Sequence, residues 1–248
     1  MRNILLKLSF CGTNYHGWQV QDYADTVQGF VENALSKIFS QKIRVNGCSR
    51  TDAGVHANEF FCNFKTENPM PCDKIIKALN GNLPFDISVL GCFDVAESFH
   101  ARYDCEKKEY IYKIWNTEIR NPFFEKTHLH YKYILDEKIL NEASKSFLGT
   151  HDFAGFCSVG SQVESTVRTV KDIGVERQGD EVIFHITADG FLYNMVRIIT
   201  GTLLYVAQGK IQADDLSDII ESRDRNRAGI TAPAHGLYLN KVSYGVNL

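Results

Sequence analysis

The chain has 248 residues, 44% of them hydrophobic and 23% charged, with a formal net charge of -3. That length and apolar fraction suffice for one large or two small globular domains. The acidic balance excludes a surface that is basic throughout, so any nucleic-acid site has to be a local patch. Three groups of basic residues fit such a patch and fit an ordinary solvated surface equally well: Lys107, Lys108 and Lys113; Arg168, Lys171 and Arg177; and Arg223, Arg225 and Arg227.

The N-terminal residues and the cysteines argue against further classes of protein. The apolar run at 4–6 is broken by Lys7 and is too short for a signal peptide or a membrane span. We therefore expect a cytoplasmic protein without a membrane segment. The seven cysteines are odd in number and contain no C-x-x-C pair. This pattern argues against a disulfide scaffold or a thiolate zinc site and favours reduced thiols in the core.

Hydrophobic periodicity predicts the order β-α-β-β-α-β in the first half of the chain. A strand is expected at 4–10, and a helix begins behind Asp25 or Thr26, because apolar residues between 27 and 38 fall on one helical face. The remaining elements are two strands, a helix that follows a proline, and a final strand, at 42–48, 58–65, 73–80 and 87–94.

The second half repeats this order after a linking segment at 98–104, with one additional helix before its last strand. The predicted strands are at 109–115, 167–176, 182–188 and 236–244, and the predicted helices are at 136–148, 193–208 and 214–222. Gly149 and Gly209 are expected to end the first two of these helices. The chain is therefore predicted to be an α+β protein of two tandem ferredoxin-like, or split β-α-β, halves, at 1–103 and 104–248.

The most informative stretch is 49–57, which reads Ser-Arg-Thr-Asp-Ala-Gly-Val-His-Ala between two strand-like runs. Its Ala53-Gly54 pair supplies the backbone freedom of a sharp turn, so Asp52 is expected just past the end of a strand. On local chemistry alone, a turn aspartate most often hydrogen bonds to its own backbone. A carboxylate held beside Arg50 is also able to act as a base or a nucleophile.

Residues 50–56 resemble the signature of the tRNA pseudouridine synthase A family, in which the aspartate of this motif is catalytic. The resemblance implies conversion of uridine to pseudouridine in the anticodon stem-loop of tRNAs, at positions 38, 39 and 40. It also implies a homodimer that uses no cofactor and no metal, with two sheets side by side around a central RNA-binding cleft. Further matches occur along the chain, at 12–13, 17–19, 83–84, 100–102, 151–153, 191–193, 195–197, 232–233 and 236–237.

The resemblance also assigns roles to individual side chains. Tyr110 and Tyr112 alternate on a predicted strand and share a face, where the simplest role of Tyr112 is packing. For Tyr110, the resemblance implies contact with the target base, a role that suits an aromatic ring.

Three arginines are expected to serve the site. Arg197 begins an apolar helical segment and needs an anion nearby, and the resemblance pairs it with Asp52, which would keep that carboxylate ionised. Arg50 is either a second partner of the carboxylate or a ligand of RNA phosphate. Arg102 is expected to meet RNA as well.

The histidines give no catalytic or metal site. A lone histidine after a turn, such as His56, is more often a hydrogen-bonded structural residue than an acid or a base. His128 and His130 share a strand face, yet no third ligand accompanies them in the sequence.

Two residues depart from the family pattern, and two other functions stay open. Ser49 stands where the family usually has glycine, and Cys11 stands where an aspartate usually precedes Gly12. A synthase with another RNA site specificity, or a non-catalytic RNA-binding protein on the same scaffold, are the alternatives. The sequence does not decide whether Asp52 attacks ribose C1′ as a nucleophile or removes a sugar proton as a base.

Overall fold

The computed structural model describes residues 1–160 and 163–245. The chain is a mixed α+β protein, as predicted, and forms two compact units. The first unit is Met1–Glu106 together with the C-terminal segment from Tyr238, and the second is Lys107–Leu237. Within the described ranges, no helix is both long and apolar enough to cross a lipid bilayer.

The first unit is a sheet with two helices. Strand β1 lies between β3 and β4 and is antiparallel to both, while β2 and β10 pair with different parts of β3. Its elements are β1 (Arg2–Phe10), α1 (Val27–Phe39), β2 (Asn46–Gly47), β3 (His56–Thr66), α2 (Cys72–Asn80), β4 (Ile87–Val95) and most of the C-terminal strand β10 (Leu237–Tyr244).

The second unit contains a sheet of antiparallel neighbours in the order β5-β9-β8-β7, and the short β6 runs parallel to β5. Its elements are most of β5 (Cys105–Trp115), β6 (Leu129–His130), α3 (Glu137–Ser144), β7 (Gly149–Asp152), β8 (Val167–Gln178), β9 (Glu181–Ala188), α4 (Met195–Ala207) and α5 (Leu216–Ser222).

Two buried asparagines hold the segment that follows β4 against the first sheet. Asn3, on β1, donates to the backbone carbonyls of Ala96 and Phe99 at 2.9 and 2.8 Å. Asn63, on β3, accepts from the backbone N–H of Ala101 at 2.9 Å. Buried amides that satisfy backbone groups fix a loop almost as firmly as strand pairing does. Residues 100–102 are therefore positioned by the sheet core.

The helix boundaries follow from local capping. Of the two predicted caps of α1, Thr26 is the one used, because its hydroxyl accepts from the backbone N–H of Gly29 at 3.3 Å. Helix α4 begins at Met195, two residues later than predicted, because Asn194 adopts a left-handed conformation with φ 62°. Helix α3 ends at Ser144 and is followed by a turn of 3-10 helix, so the α-helix is shorter than the one predicted at 136–148.

The predicted strand at 42–48 is wrong over most of its length, since only Asn46–Gly47 pairs with β3. The backbone N–H of Ile43 donates to the Ser36 hydroxyl at 3.1 Å instead, and that of Val45 donates to the Glu32 carboxylate at 3.1 Å. Both acceptors lie on α1, so the helix satisfies donors that a strand would have used. A short strand is present at β6, where His128 and His130 were expected to share a strand face, whereas the short strand β7 was not predicted.

The division of the chain into subdomains at 1–103 and 104–248 stays a prediction. The last strand, which the sequence assigns to the second half, groups with the first unit from Tyr238 onward. Tyr238 and Leu239 pair with His56 and Ala57 of β3 in parallel register. Strand pairing between distant segments is not encoded in local periodicity, which explains the difference.

Candidate active site

Asp52 lies on the turn that connects β2 to β3. The backbone N–H of Val55 donates to the Asp52 carbonyl at 3.2 Å, and Gly54 has φ 78°, a left-handed conformation that favours glycine. Burial alternates along the extended approach to the turn, because Arg50 is exposed, Thr51 is buried and Asp52 is half-buried. The carboxylate therefore lies at the edge of the core rather than in open solvent.

A loop at residues 12–18, called here the clamp loop, holds this turn from one side. The backbone N–H of Trp18 donates to the Thr51 carbonyl at 3.1 Å, and the N–H of Gly54 donates to the Tyr15 carbonyl at 3.2 Å. These two bonds flank Asp52 in the sequence. The turn is therefore held on both sides of its carboxylate.

The clamp loop approaches so closely that two of its positions accept no side chain. A Cβ at Gly12 would overlap the Val55 carbonyl oxygen, and a Cβ at Gly17 would overlap the Thr51 carbonyl oxygen. Gly17 also has φ 87°, in the left-handed region. Both glycines belong to the matched family motifs, and the contact explains in physical terms why glycine is needed there.

Buried side chains anchor the clamp loop to the core. Trp18 is 2% exposed, and its ring stacks on that of Phe60 with centroids 4.0 Å apart. Tyr15 donates its hydroxyl to the Asp86 carboxylate, and burial together with this bond raises the pKa of the Tyr15 phenol. Beside it, Cys11 lies 3.3 Å from the Thr13 hydroxyl, so the departure at position 11 leaves a weak thiol contact in this loop.

His56 has a structural role, as expected. Its Nδ1 accepts from the backbone N–H of Gly12 at 3.0 Å, and its ring stacks on Tyr238 with centroids 4.6 Å apart. A ring nitrogen that accepts from an N–H carries no proton itself. Buried and hydrogen bonded to the clamp loop, His56 tethers the loop to the first residue of β3, directly after the Asp52 turn.

The Thr51 hydroxyl is an unsatisfied polar group next to the carboxylate. Thr51 is 7% exposed, and its Oγ1 has no hydrogen-bond partner in the part of the chain that the structure describes. An unsatisfied buried hydroxyl costs about 1–3 kcal/mol of stability. No local sequence pattern indicates this feature, because the tertiary structure decides whether a buried hydroxyl finds a hydrogen-bond partner.

Arg50 and Arg102 meet in one pocket of the first unit, with a volume of about 220 Å³. Trp18 lines the same pocket, together with His100 and Tyr103. The two predicted arginines thus share a site although 52 positions separate them in the sequence. His100 and Tyr103 were not predicted as site residues, and their proximity to the matched Arg102 was the signal available.

Tyr110 and Tyr112 lie on β5 in the second unit. Tyr110 is 6% exposed, lies opposite Ile186 of β9 and meets the Phe191 ring edge-on, with centroids 4.9 Å apart. Tyr112 is fully buried and donates its hydroxyl to the Pro233 carbonyl at 2.8 Å. Burial raises the pKa of the Tyr112 phenol. Tyr112 is therefore a packing residue, as expected, while the role of Tyr110 stays a prediction.

Arg197 lies in the first turn of α4, in the second unit. Its Nε donates to the Ala232 carbonyl at 2.7 Å, and one terminal nitrogen donates to the Asn194 side-chain oxygen at 2.7 Å. The guanidinium is half-buried and is held in a defined direction by these bonds. Its predicted pairing with Asp52 stays a prediction.

Several arginines from the other basic groups serve the structure of the second unit. Arg177 pairs with Glu137 at 2.9 Å, and Arg223 pairs with Asp152 at 3.1 Å. Arg225 donates to the Gly229 carbonyl at 2.8 Å. These guanidinium groups have protein partners, which favours the solvated or structural interpretation of their clusters.

The two histidines considered for a metal site have separate partners. His128 contacts Glu181 at 2.6 Å, and His130 contacts the Thr117 carbonyl at 2.9 Å. Burial lowers the pKa of the His128 imidazole, although Glu181 opposes the effect. Among residues 1–160 and 163–245, no group of three or more His, Cys, Asp or Glu side chains is arranged to hold a metal ion.

Comparison with known proteins identifies the family of this chain. A family model described as tRNA pseudouridine synthase matches residues 8–104 and 143–245. The tRNA pseudouridine synthase A of Thermoanaerobacter sp. (strain X514) is 46% identical over 98% of this chain and 100% of that protein. The protein of the same name from Acetivibrio thermocellus is 47% identical over the same shares. The chain belongs to the tRNA pseudouridine synthase family.

A solved structure adds little to this assignment. A chain in a structure titled as a Cbf5-Nop10-Gar1 complex aligns with a TM-score of 0.37 and 14% identity, over 81% of this chain and 53% of that one. That likeness is too low to support an argument about fold or function.

Replacing Gly17 by alanine is expected to destabilise the protein through the clamp contact. The left-handed backbone alone costs roughly 1–2 kcal/mol, and the overlap with the Thr51 carbonyl adds roughly 1–3 kcal/mol. Gly179→Ala is the matched control, because Gly179 has φ 62° and no described heavy atom lies within 4 Å of the point that an added Cβ would occupy. Urea unfolding gives the free energy of unfolding of both variants. Equal losses of stability in the two variants would contradict the close approach of Gly17 to the Thr51 carbonyl.

Replacing Thr51 by valine is expected to raise the free energy of unfolding by about 1 kcal/mol, because it removes the unsatisfied hydroxyl and keeps the side-chain shape. Thr51→Ser keeps the hydroxyl and loses a buried methyl group, which costs about 0.8 kcal/mol. Thermal and urea unfolding of the two variants give the measurement. A valine variant less stable than the serine variant would show that the hydroxyl is hydrogen bonded.

Proposed function

We propose that this chain isomerises uridine to pseudouridine in the anticodon stem-loop of tRNAs, at positions 38, 39 and 40, with Asp52 as its catalytic residue. The observation that carries the proposal is the family motif on a turn that the clamp loop holds by backbone bonds on both sides of a half-buried carboxylate. Family membership supports the class of reaction, which makes the protein an isomerase.

The reaction needs one carboxylate and no net oxidation. The bond between ribose C1′ and uracil N1 breaks, the base turns, and C1′ joins C5, while C5 loses a proton and N1 gains one. Asp52 either adds to C1′ as a nucleophile or removes a sugar proton as the base departs. A held turn serves both routes, because it fixes the distance between the carboxylate and the sugar.

The substrate has to present the uridine outside its stack, which costs roughly a few kcal/mol. We propose that contacts between the protein and the RNA offset this free energy. Arg50 and Arg102 are proposed to bind phosphate, since both line one pocket of the first unit. Tyr110 is proposed to contact the target base, and Arg197 to bind substrate and keep Asp52 ionised, as the family resemblance implies.

The resemblance also supports a proposal for the architecture. We infer that the chain contains two tandem ferredoxin-like halves whose antiparallel sheets border a central RNA-binding cleft. In the first unit, β1 lies between β3 and β4 and is antiparallel to both, as this arrangement requires. A cytoplasmic homodimer is proposed on the same resemblance, and two copies would present twice the basic surface to one tRNA.

Replacing Asp52 by alanine or asparagine is expected to abolish pseudouridine formation, because no other group supplies the carboxylate to the sugar. Purified tRNA is incubated with each variant and its pseudouridine content is measured. Binding of tRNA, measured separately, is expected to persist. Asp73→Asn is the matched control and is expected to keep activity, because Asp73 is an exposed carboxylate of the same unit, in the first turn of α2 and away from the clamp loop.

Activity equal to wild type in Asp52→Ala would contradict the catalytic assignment. Wild-type chain that binds tRNA and forms no pseudouridine at any uridine would favour a non-catalytic RNA-binding protein. Product at uridines outside the anticodon stem-loop would favour a synthase of another specificity.

Replacing Arg102 by alanine is expected to weaken tRNA binding and to lower the slope of log Kd against log salt concentration by roughly 1, because one phosphate contact is lost. Arg102→Lys is the matched control, since it keeps the charge without the planar guanidinium and is expected to keep the slope. Titrations at several salt concentrations measure it. An unchanged slope in the alanine variant would place Arg102 away from phosphate.

A further inference from the structure

With Asp52 as the proposed catalytic residue, the pocket that Arg50 and Arg102 share is not where the reaction would occur. Arg50 lines it, whereas Asp52, two residues further along, is absent from its lining. A reacting uridine has to touch Asp52. We propose that this pocket binds a second, unpaired nucleotide of the same RNA, close to the reacting uridine, with the Tyr103 ring as its stacking surface. This inference rests on the proposed function.

The lining of the pocket favours an anionic ligand. The lining includes two arginines, while none of the described lining residues is Asp or Glu. The chain as a whole has 30 acidic and 27 basic residues, so a cavity without any carboxylate departs from the average surface. Neither guanidinium forms an ion pair with a carboxylate among the described residues. A guanidinium group without a carboxylate partner can bind phosphate through two parallel N–H bonds.

Tyr103 supplies the stacking surface. Its side chain is 75% exposed, its ring lies 4.3 Å from that of His100, and the Arg102 guanidinium lies 5.9 Å from its centroid. A single exposed aromatic residue is ordinary on a protein surface. Tyr103 differs because a neighbouring ring and a cation lie against it, and because it lines the same pocket as Arg50 and Arg102. Bases stack on such rings without regard to sequence.

The turn that carries Tyr103 is formed before any ligand arrives. The backbone N–H of His100 donates to the Asp104 carboxylate at 2.8 Å, and the N–H of Arg102 donates to His100 Nδ1 at 3.1 Å. The N–H of Ala101 is held by Asn63 of β3, and that of Tyr103 donates to the His100 carbonyl at 3.1 Å. A surface fixed in this way loses little conformational entropy when a base stacks on it.

The size and the remaining polar groups fit one nucleotide. At about 220 Å³ the pocket is smaller than the roughly 300–1,000 Å³ of sites for drug-sized ligands. Gln19 and Asn46 bring amide groups to its lining, and amides donate to and accept from the edges of bases. A duplex would not enter such a space, so the nucleotide has to be unpaired.

The test combines two changes, one in the protein and one in the RNA. A set of tRNA stem-loops is prepared, each with one abasic nucleotide, including the target uridine and every unpaired neighbour. The Kd of each RNA is measured for wild type, Tyr103→Ala and Tyr103→Phe. Tyr103→Ala is expected to raise the Kd for intact RNA by roughly 5- to 100-fold, whereas Tyr103→Phe is expected to bind as tightly as wild type because it keeps the ring.

We expect one abasic position, other than the target uridine, to weaken RNA binding by the wild-type protein as much as Tyr103→Ala weakens binding of intact RNA. In the Tyr103→Ala variant, the same abasic position is expected to cause no further loss of affinity. Equal binding by Tyr103→Ala and wild type would overturn the proposal, as would additive losses at every position. Coupling to the target uridine itself would also overturn it. Unfolding midpoints of both variants equal to wild type exclude a folding defect.

This outcome is separable from that of the proposed function. Because the Kd values are measured without any reaction, they show whether Tyr103 and the abasic position are coupled even if wild type forms no pseudouridine. Failure of Asp52→Ala to lose activity would contradict the catalytic assignment and leave the coupling measurement valid.

Discussion

The contact between the clamp loop and the turn that carries Asp52 is the constraint on which the proposed site depends. Backbone bonds from Trp18 and to Tyr15 hold the turn on both sides of Asp52, and Gly12 and Gly17 allow the approach because they lack side chains. Each bond contributes only about 1 kcal/mol, so their value lies mainly in fixing position. The same loop contributes Trp18 to the pocket that holds Arg50 and Arg102.

Charge is distributed in a way that reconciles an acidic chain with an RNA substrate. Arg177 and Arg223 have carboxylate partners at 2.9 and 3.1 Å in the second unit. The pocket of the first unit instead gathers two guanidinium groups without a carboxylate among its described lining residues. A small patch of this kind attracts phosphate locally although the net charge is negative. This arrangement agrees with the expectation from composition that any nucleic-acid site in this chain is a local patch.

The sequence predicted those parts of the molecule that local patterns encode. The predicted strand at 58–65 and the predicted helix at 73–80 lie within two residues of the ends of β3 and α2, since apolar periodicity and the flanking turns specify them. The strand at 42–48 was mostly wrong because side chains of α1 take its backbone donors. The pocket was beyond prediction, because it joins segments near residues 18, 46 and 102 that no spacing relates. The motif located Asp52, whereas the roles of Tyr110 and Arg197 stay predictions.

The turn that carries Asp52 is held in place by the clamp loop before any RNA binds. Hydrogen exchange at the Trp18 and Gly54 amides, with and without tRNA, tests this most directly, because these two N–H groups make the bonds that define the clamp. We expect slow exchange at both amides in the free protein, comparable to the amides of β3, and no large change when tRNA binds. Rapid exchange in the free protein that becomes slow only with tRNA would contradict a preformed turn.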